Sequence, residues 1–300
     1  MKPFAYEAPT SVDRAVALLA TEDHRVRPLA GGTDLLVQLR QGRFEVDLLV
    51  DLKHIPELSR IAYDPVQGLT VGAAVNCAVL SEHVDVRLHY PGLLDATSII
   101  GGTAIQGRAT LGGNLCNAAP SGDSIAAMIV LGATAVVVSP EARREVPIAA
   151  FCLAPGKTVL QKGELVVALK LPAPQSHSGA RYVRFTPRGE MDIAVAGAGA
   201  WVRLTPDATR IEDARIALSA VAPTPLEVPA AAAVLTGQAP QDSVYAHAGE
   251  IAAAAATPID DTRGTAAQRR HLVAVLVRRA LQGAVERANS SNCPGKEAWQ

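Results

Sequence analysis

Apolar and polar residues alternate along the first half of the chain in two rhythms, one of period two and one of helical period. The stretch "FAYEAP" (4–9) reads as a short strand, and after it Val12, Val16 and Leu19 share one face of a helix that Ser11 is placed to cap. "RVRPLA" (25–30) predicts a second strand that runs into Gly31–Gly32. Thr33 or Asp34 then stands where a helix through Leu35, Leu36, Val37 and Leu39 to Gly42 would begin. "VDLLVDL" (46–52) and "GLTVGAAV" (68–75) are apolar strands. A helix is expected over "AVLSEHVDVRLH" (78–89), and another from "YPGLLDATSII" (90–100), closing at Gly101–Gly102. The segment "RATLGGNLCNAAPSGD" (108–123) breaks the rhythm with Gly, Asn and Ser. A short helix, Ser124 to Leu131, a β-branched run "ATAVVVS" (133–139) and the strand "ELVVALKLP" (164–172) follow.

The segment "PAPQSHSG" (172–179) combines Pro, Ser and Gly and reads as a domain linker. Beyond it the pattern changes. "GAGAWVRLT" (197–205) and "DARIALSAV" (213–221) look like neighbouring strands of one sheet. Two Ala-rich helices are expected over roughly 242–256 and 265–288, the second with Leu272, Val275, Leu276 and Arg279 at helical intervals. The stretch from 289 to 300 is polar and aperiodic and is expected to be a flexible tail. No internal repeat is visible.

Composition narrows the classes. The 300 residues are 49% apolar with a net charge of -1, which gives no electrostatic argument for nucleic acid or a membrane surface. The opening "MKPFAYEAPT" has no apolar core of a secretory signal, and the longest apolar stretch, Ile125 to Val138, is interrupted by Gly132 and Thr134. A cytoplasmic protein is expected. Cys77, Cys116, Cys152 and Cys293 form no CxxC pair, and the seven histidines form no HxH or HExxH pair. Neither a Cys-held iron–sulfur cluster nor metal catalysis by this chain alone is expected.

The chemistry lies in the glycines. Backbone approaches a diphosphate only where no Cβ intervenes, and successive N–H groups can then converge on its oxygens. Gly31–Gly32 ahead of a helix start fit that need, and they equally fit a tight turn. A second pair, Gly112–Gly113, lies between Thr110 and Asn114, and Asp123 stands at the next helix start. Asp123 is either an N-cap or an acceptor for sugar or polyol hydroxyls. Two such loops could grip both halves of a dinucleotide. No GxGxxG or GxxxxGK[ST] is present, so neither a Rossmann site nor a P-loop is supported.

"AGGTDLL" and "TLGGNLCNAAPSGD" resemble the paired FAD-binding motifs of the flavoprotein (medium) subunits of molybdenum hydroxylases of the carbon monoxide dehydrogenase and xanthine dehydrogenase type. "FAYEAPTSVDRAVALL" and "ELVVALKLP" resemble the start and end of that family's FAD domain. "ARIALSAVAPTPLEVPAAAAVL" and "PIDDTRGTAAQRRHLVAVLVRRAL" resemble its C-terminal domain, so the likeness covers residues 2 to 288.

That resemblance implies an α+β fold: an FAD-binding domain of the PCMH type over 1–176, with subdomains of about 1–55 and 56–176, then a C-terminal α+β domain over 177–288 with an antiparallel sheet and helices. It implies FAD as cofactor. Leu29, Ala30, Gly31, Gly32, Thr33, Asp34 and Leu35 are expected at the diphosphate, with Thr110, Leu111, Gly112, Gly113 and Asn114 as a second, adenosine-side loop. Asp123 would bind FAD hydroxyls, Val166 would line the isoalloxazine, Arg184 would lie near the flavin, and Arg27 would face the adenine end. The implied partners are a large subunit with the molybdenum cofactor and a small subunit with two [2Fe–2S] clusters, in a dimer of heterotrimers. Electrons would pass from those clusters to the FAD and on to NAD or another acceptor.

The chain departs from the family in places. Gln106 and Gly107 replace an Arg–Asn pair common ahead of the second motif. Ile100 lies near where some members carry an aromatic over the flavin, which leaves Tyr182 as a candidate platform. Cys116 reads as a buried inert thiol and Trp201 as core. Arg269, Arg270, Arg278 and Arg279 read as a solvated basic face or a subunit contact. The remaining rivals are a self-contained flavin oxidase and a non-redox nucleotide-binding scaffold.

Overall fold

The computed structural model describes residues 2–189 and 191–290. Its strands, in chain order, are β1 (Ala5–Glu7), β2 (Val26–Leu29), β3 (Leu48–Asp51), β4 (Ile61–Asp64), β5 (Gly68–Gly72), β6 (Thr134–Val138), β7 (Arg143–Pro147), β8 (Cys152–Ala154), β9 (Lys157–Thr158), β10 (Leu165–Leu171), β11 (Ser178–Phe185), β12 (Ala196–Leu204), β13 (Ile211–Ser219) and β14 (Leu226–Glu227). Its α-helices are α1 (Val12–Leu19), α2 (Leu35–Arg40), α3 (Cys77–Glu82), α4 (Val84–His89), α5 (Pro91–Thr97), α6 (Thr103–Gln106), α7 (Leu111–Asn117), α8 (Asp123–Val130), α9 (Pro229–Ala233), α10 (Asp242–Ala255) and α11 (Ala266–Ser290). The chain divides into two compact units that interleave in sequence. One comprises 1–86, 97–119 and 132–173, and the other 87–96, 120–131 and 174–300.

The first unit holds two sheets. In the smaller, β3 lies between β1 and β2 and runs parallel to both. A strand buried on both faces needs a continuous apolar run, and all four residues of β3 are buried. Helix α1 covers this sheet with Ala15, Val16, Leu18 and Leu19, and Ser11 caps it by accepting the Arg14 N–H at 3.3 Å. The larger sheet is antiparallel, in the order β4-β5-β10-β6-β7. The strand expected over 68–75 ends at Gly72, where a Cβ would stand 2.4 Å from the Leu58 carbonyl oxygen.

The helix expected over 78–89 is two helices, α3 and α4, broken at His83. Ser81 bonds back to the Cys77 carbonyl at 2.7 Å, and His83 takes an extended conformation with ψ 123°. Helix α5 stops at Thr97, short of Gly101–Gly102. These glycines instead open the single turn α6, with Gly101 at φ +62°.

The second unit is one antiparallel sheet, β11-β12-β13-β14, with α8 and α11 packed against it and α10 against α11. Strand β12 reads AGAGAWVRL because the layers meet at backbone distance: a Cβ on Gly199 would stand 3.2 Å from the Ala126 carbonyl oxygen of α8. Ala280, Ala284 and Ala288 of α11 are fully buried for the same reason, and a Cβ on Gly179 would meet the Ala284 carbonyl at 2.2 Å. The basic face expected on α11 is not solvated at Arg269, which is 4% exposed and donates to the carbonyls of Val195 and Ala220 while pairing with Asp261. Arg278 pairs with Asp242, as a surface arginine does. Of the expected tail, 291–300 lie outside the described residues, and 289 and 290 close α11.

Candidate functional site

The first glycine pair lies in the turn from β2 to α2. Gly32 sits at φ +79°, a conformation that L side chains rarely adopt. A Cβ on Gly31 would stand 2.0 Å from the carbonyl oxygen of Arg108 and 3.2 Å from the Ala109 Cα. The first motif therefore rests flush on the backbone that leads into the second. Gln38 of α2 ties them again, donating from Nε2 to Asn117 Oδ1 at 3.0 Å across 79 residues of sequence.

Among the described residues, the N–H groups of Gly31, Gly32, Thr33, Asp34 and Leu35 donate to no protein acceptor, and the first helical bond is Leu36 N–H to Gly32 O at 3.0 Å. Gly31 is buried, Gly32, Thr33 and Leu35 are half-buried and Asp34 is exposed, and the N–H groups at a helix start have no intrahelical acceptor of their own. A run of them over a surface stripped of Cβ atoms fits the oxygens of a diphosphate. Asp34 stands at the cap position of α2 without making a side-chain cap bond. Neither it nor Thr33 spends an oxygen on these amides.

The second motif differs from its expected form. "TLGGN" is not an open loop: Gly112, Gly113 and Asn114 form the first turn of α7. Thr110 is the N-cap, accepting the Gly113 N–H at Oγ1 (2.9 Å) and the Asn114 N–H at its carbonyl (2.9 Å). Gly112 is glycine because a Cβ there would lie 2.5 Å from the Ala73 carbonyl oxygen. Of the two glycine pairs, the first frees amides and the second seats a helix.

Other candidates of this unit lie apart from these motifs. Arg27 on β2 is exposed and places its guanidinium 4.9 Å from the ring centroid of Phe44. Val166 on β10 is buried opposite Val137, beside an irregularity in the ladder, so its side chain belongs to the sheet's packing.

In the second unit, Asp123 is the first residue of α8 and does not cap it. Its Oδ1 accepts the Tyr182 hydroxyl at 2.7 Å, and its Oδ2 pairs with the Arg184 guanidinium at 2.5 Å. The Tyr182 hydroxyl also meets Ser219 Oγ at 2.8 Å. Gly197 makes room for this join, since its Cβ would lie 2.3 Å from both hydroxyls. Burial pushes the Asp123 carboxyl above its ordinary range, with Arg184 and Tyr182 pulling it back. Burial and the neighbouring Asp123 push the Tyr182 phenol well above its own. Tyr182 is therefore a neutral donor, 2% exposed, and cannot serve as a stacking platform.

Sequence reasoning passed over a third group. The Tyr6 hydroxyl donates to Asp51 Oδ2 at 2.6 Å, and Lys53 bridges Asp51 Oδ1 (2.6 Å) and the Ala30 carbonyl (3.1 Å). One signal was present: an acid ending the otherwise apolar run of β3 must be buried and partnered.

The thiols take no part in this chemistry. Burial pushes Cys116 and Cys77 up to about 12 and Cys152 up to about 11. At pH 8 this leaves on the order of one thiolate in a thousand or fewer. In a Cys293→Ser background, a thiol reagent at pH 8 is expected to label none of the three until denaturant is added. Cys77 is buried and Cys116 and Cys152 are half-buried, and rapid labelling of the native chain would refute the suppression of their thiolates. Among the described residues, no group of three or more His, Cys, Asp or Glu is arranged to hold a metal ion, and no helix is long and apolar enough to cross a membrane.

Comparison with known proteins agrees with this geometry. Residues 2–174 match the family model described as the FAD binding domain in molybdopterin dehydrogenase, and 181–284 match the carbon monoxide dehydrogenase flavoprotein C-terminal domain. The chain is 34% identical to the xanthine dehydrogenase FAD-binding subunit of Escherichia coli O157:H7, over 74% of this chain and 75% of that one. It is 32% identical to the carbon monoxide dehydrogenase medium chain of Hydrogenophaga pseudoflava, over 94% and 96%. Among solved structures, the carbon monoxide dehydrogenase of Hydrogenophaga pseudoflava lacking the Mo-pyranopterin moiety matches with a TM-score of 0.91, at 32% identity, over 96% of this chain and 99% of that one. Flush glycines, unpaired amides and matches along nearly the whole chain agree: this protein belongs to the FAD-binding flavoprotein subunits of the molybdopterin dehydrogenases.

Proposed function

We propose that the chain is the electron-transfer subunit of a molybdenum-containing dehydrogenase, receiving electrons from iron–sulfur clusters on a small partner subunit and delivering them to an external acceptor. The observation that carries this reading is the row of unpaired N–H groups from Gly31 to Leu35, laid open because Gly31 has no Cβ to hold the loop away from Arg108. These amides would take the diphosphate of FAD. The start of α7 would lie at the adenosine side. In this reading the FAD domain spans 1–176 and the C-terminal domain 177–288.

When bound, FAD supplies exchange of one or two electrons at its isoalloxazine. The residues of this chain bind, orient and tune it, and none is asked to act as acid or base on the organic substrate. The large partner subunit would carry the molybdenum cofactor and choose that substrate, in a cytoplasmic complex built as a dimer of heterotrimers. The relatives' names, an FAD-binding subunit and a medium chain, support a multi-subunit assembly.

The test is an absorption spectrum of the purified chain, followed by native purification. One releasable FAD per chain, and copurification with iron- and molybdenum-containing subunits, are expected. A folded chain that takes up no flavin would refute the reading. Flavin with substrate turnover but no partner chains would replace it with a self-contained oxidase.

A further inference from the structure

Among the described residues, the carbonyl of Ala30 is the one backbone acceptor of the glycine turn that a charged side chain holds. Lys53, two residues past the end of β3, donates to it at 3.1 Å and to Asp51 Oδ1 at 2.6 Å. Asp51 is fixed in turn: its Oδ1 also accepts the Lys53 N–H at 3.0 Å, and its Oδ2 accepts the Tyr6 hydroxyl at 2.6 Å. The Asp51 side chain is 5% exposed and that of Lys53 32%, so this is a built, half-buried cluster and not a surface ion pair. Burial raises the Asp51 carboxyl, and the hydrogen bonds from Lys53 and Tyr6 outweigh it, keeping the group an anion.

Two features of the ammonium bear on the turn. A trans peptide carries its C=O and N–H on opposite sides. A clamp on the Ala30 oxygen therefore sends the Gly31 N–H the other way, where no described residue accepts it. An ammonium also has three protons, and among the described residues the third proton of Lys53 has no acceptor.

We propose that Lys53 is the positioning residue of the diphosphate cradle: it fixes the Ala30–Gly31 peptide with the N–H facing the ligand and holds a positive charge behind that peptide, on its carbonyl side. The assignment rests on the FAD reading above. It concerns neither glycine motif, and Tyr6 and Asp51 serve it by holding the ammonium in place. Backbone amides alone bind phosphate by geometry, whereas a fixed cation adds a charge term that weakens with salt.

The experiment titrates FAD into the full-length apo chain, followed by flavin fluorescence at low and high salt. Lys53→Met is expected to raise the Kd at least about tenfold at low salt and to flatten its salt dependence. Lys53→Arg, which keeps the charge and can reach the same carbonyl, is expected to bind within about threefold of wild type. Because Lys53→Met strands a buried carboxylate, the double variant Asp51→Asn with Lys53→Met is included, and thermal melting of each apo chain checks its fold. The same weakening is expected in the double variant. Wild-type affinity in both Met variants would overturn the assignment, as would weaker binding with unchanged salt dependence and no rescue by arginine. A wild-type chain that binds no FAD would overturn the functional reading with it, whereas normal wild-type binding beside unaffected variants would overturn Lys53 alone.

Discussion

Gly31→Ala is expected to abolish FAD retention through purification and raise the Kd at least about a hundredfold, roughly 2.7 kcal/mol of binding. The added methyl carbon would lie 2.0 Å from the Arg108 carbonyl oxygen and 3.2 Å from the Ala109 Cα, and both neighbours are backbone. Carbon and oxygen settle at roughly 3.2 Å or more, so the turn must lift off by about 1 Å. A flexible side chain could yield by changing rotamer, but this backbone cannot. The amides of Gly31 to Leu35 would then lose their convergence, and oriented donors tolerate little displacement. The apo chain is expected to lose about 1–3 kcal/mol, the ordinary cost of overpacking. Gly113→Ala is the comparison from the second pair: its methyl would meet only Thr110 Oγ1, at 2.8 Å, a side-chain atom and not backbone, so a smaller loss of flavin is expected there. Flavin occupancy is read from the absorbance ratio of the purified variants. Full occupancy in Gly31→Ala would remove the glycine turn from the site.

The contrast between those two glycine pairs marks where sequence reading reached its limit. Both read as GG ahead of a polar residue, and both were expected to be open loops around a phosphate. What separates them is the use of their N–H groups. Thr110 takes the amides of Gly113 and Asn114, while the Gly31–Leu35 amides find no protein acceptor. Thr33 and Thr110 occupy opposite ends of their motifs, one after the glycines and one before, and only the second is placed to cap. The local order of residues carried that distinction, but its meaning depends on where the chain goes next.

Elements were legible where one rhythm ran unbroken. The strand β3, the cap at Ser11, the neighbouring strands β12 and β13, and the helices α10 and α11 follow from periodicity and capping residues alone. Non-local partners were not legible. Arg269 reads as one of four surface arginines until the carbonyls of Val195 and Ala220 are brought to it. Tyr182 reads as a candidate stacking platform, yet Gly197 one strand away opens the space that buries its hydroxyl. Lys53 was invisible because its two acceptors, Asp51 and the Ala30 carbonyl, become neighbours only through the parallel pairing of β2 with β3. Functional side chains set by tertiary contacts between polar groups leave no periodic trace in the sequence.

The largest effect on stability is expected from Arg184→Met. Arg184 and Asp123 are 9% and 7% exposed, so removing the guanidinium leaves a buried carboxylate with only the Tyr182 hydroxyl to solvate it. Breaking a buried pair from one side costs about 3–5 kcal/mol. The sign of the pH dependence follows from the direction of the Asp123 shift. Its folded-state pKa lies above the ordinary value for an aspartate, so between those two values the folded chain binds more protons than the unfolded one. Across that window Asp123 makes stability fall as pH rises, the reverse of a carboxylate held by a surface cation. Loss of Arg184 raises the folded-state value further and widens the window upward. The penalty in Arg184→Met is therefore expected to be full at pH 7.5 and to shrink as pH is lowered, because a protonated Asp123 needs no cation. Denaturant midpoints at pH 7.5 and 5.5, compared with wild type, read the difference directly. Adding Asp123→Asn to Arg184→Met is expected to recover most of the loss at pH 7.5, since the double variant buries no charge. An equal penalty at both pH values, without recovery in the double variant, would show that Arg184 acts through packing and not through the charge of Asp123.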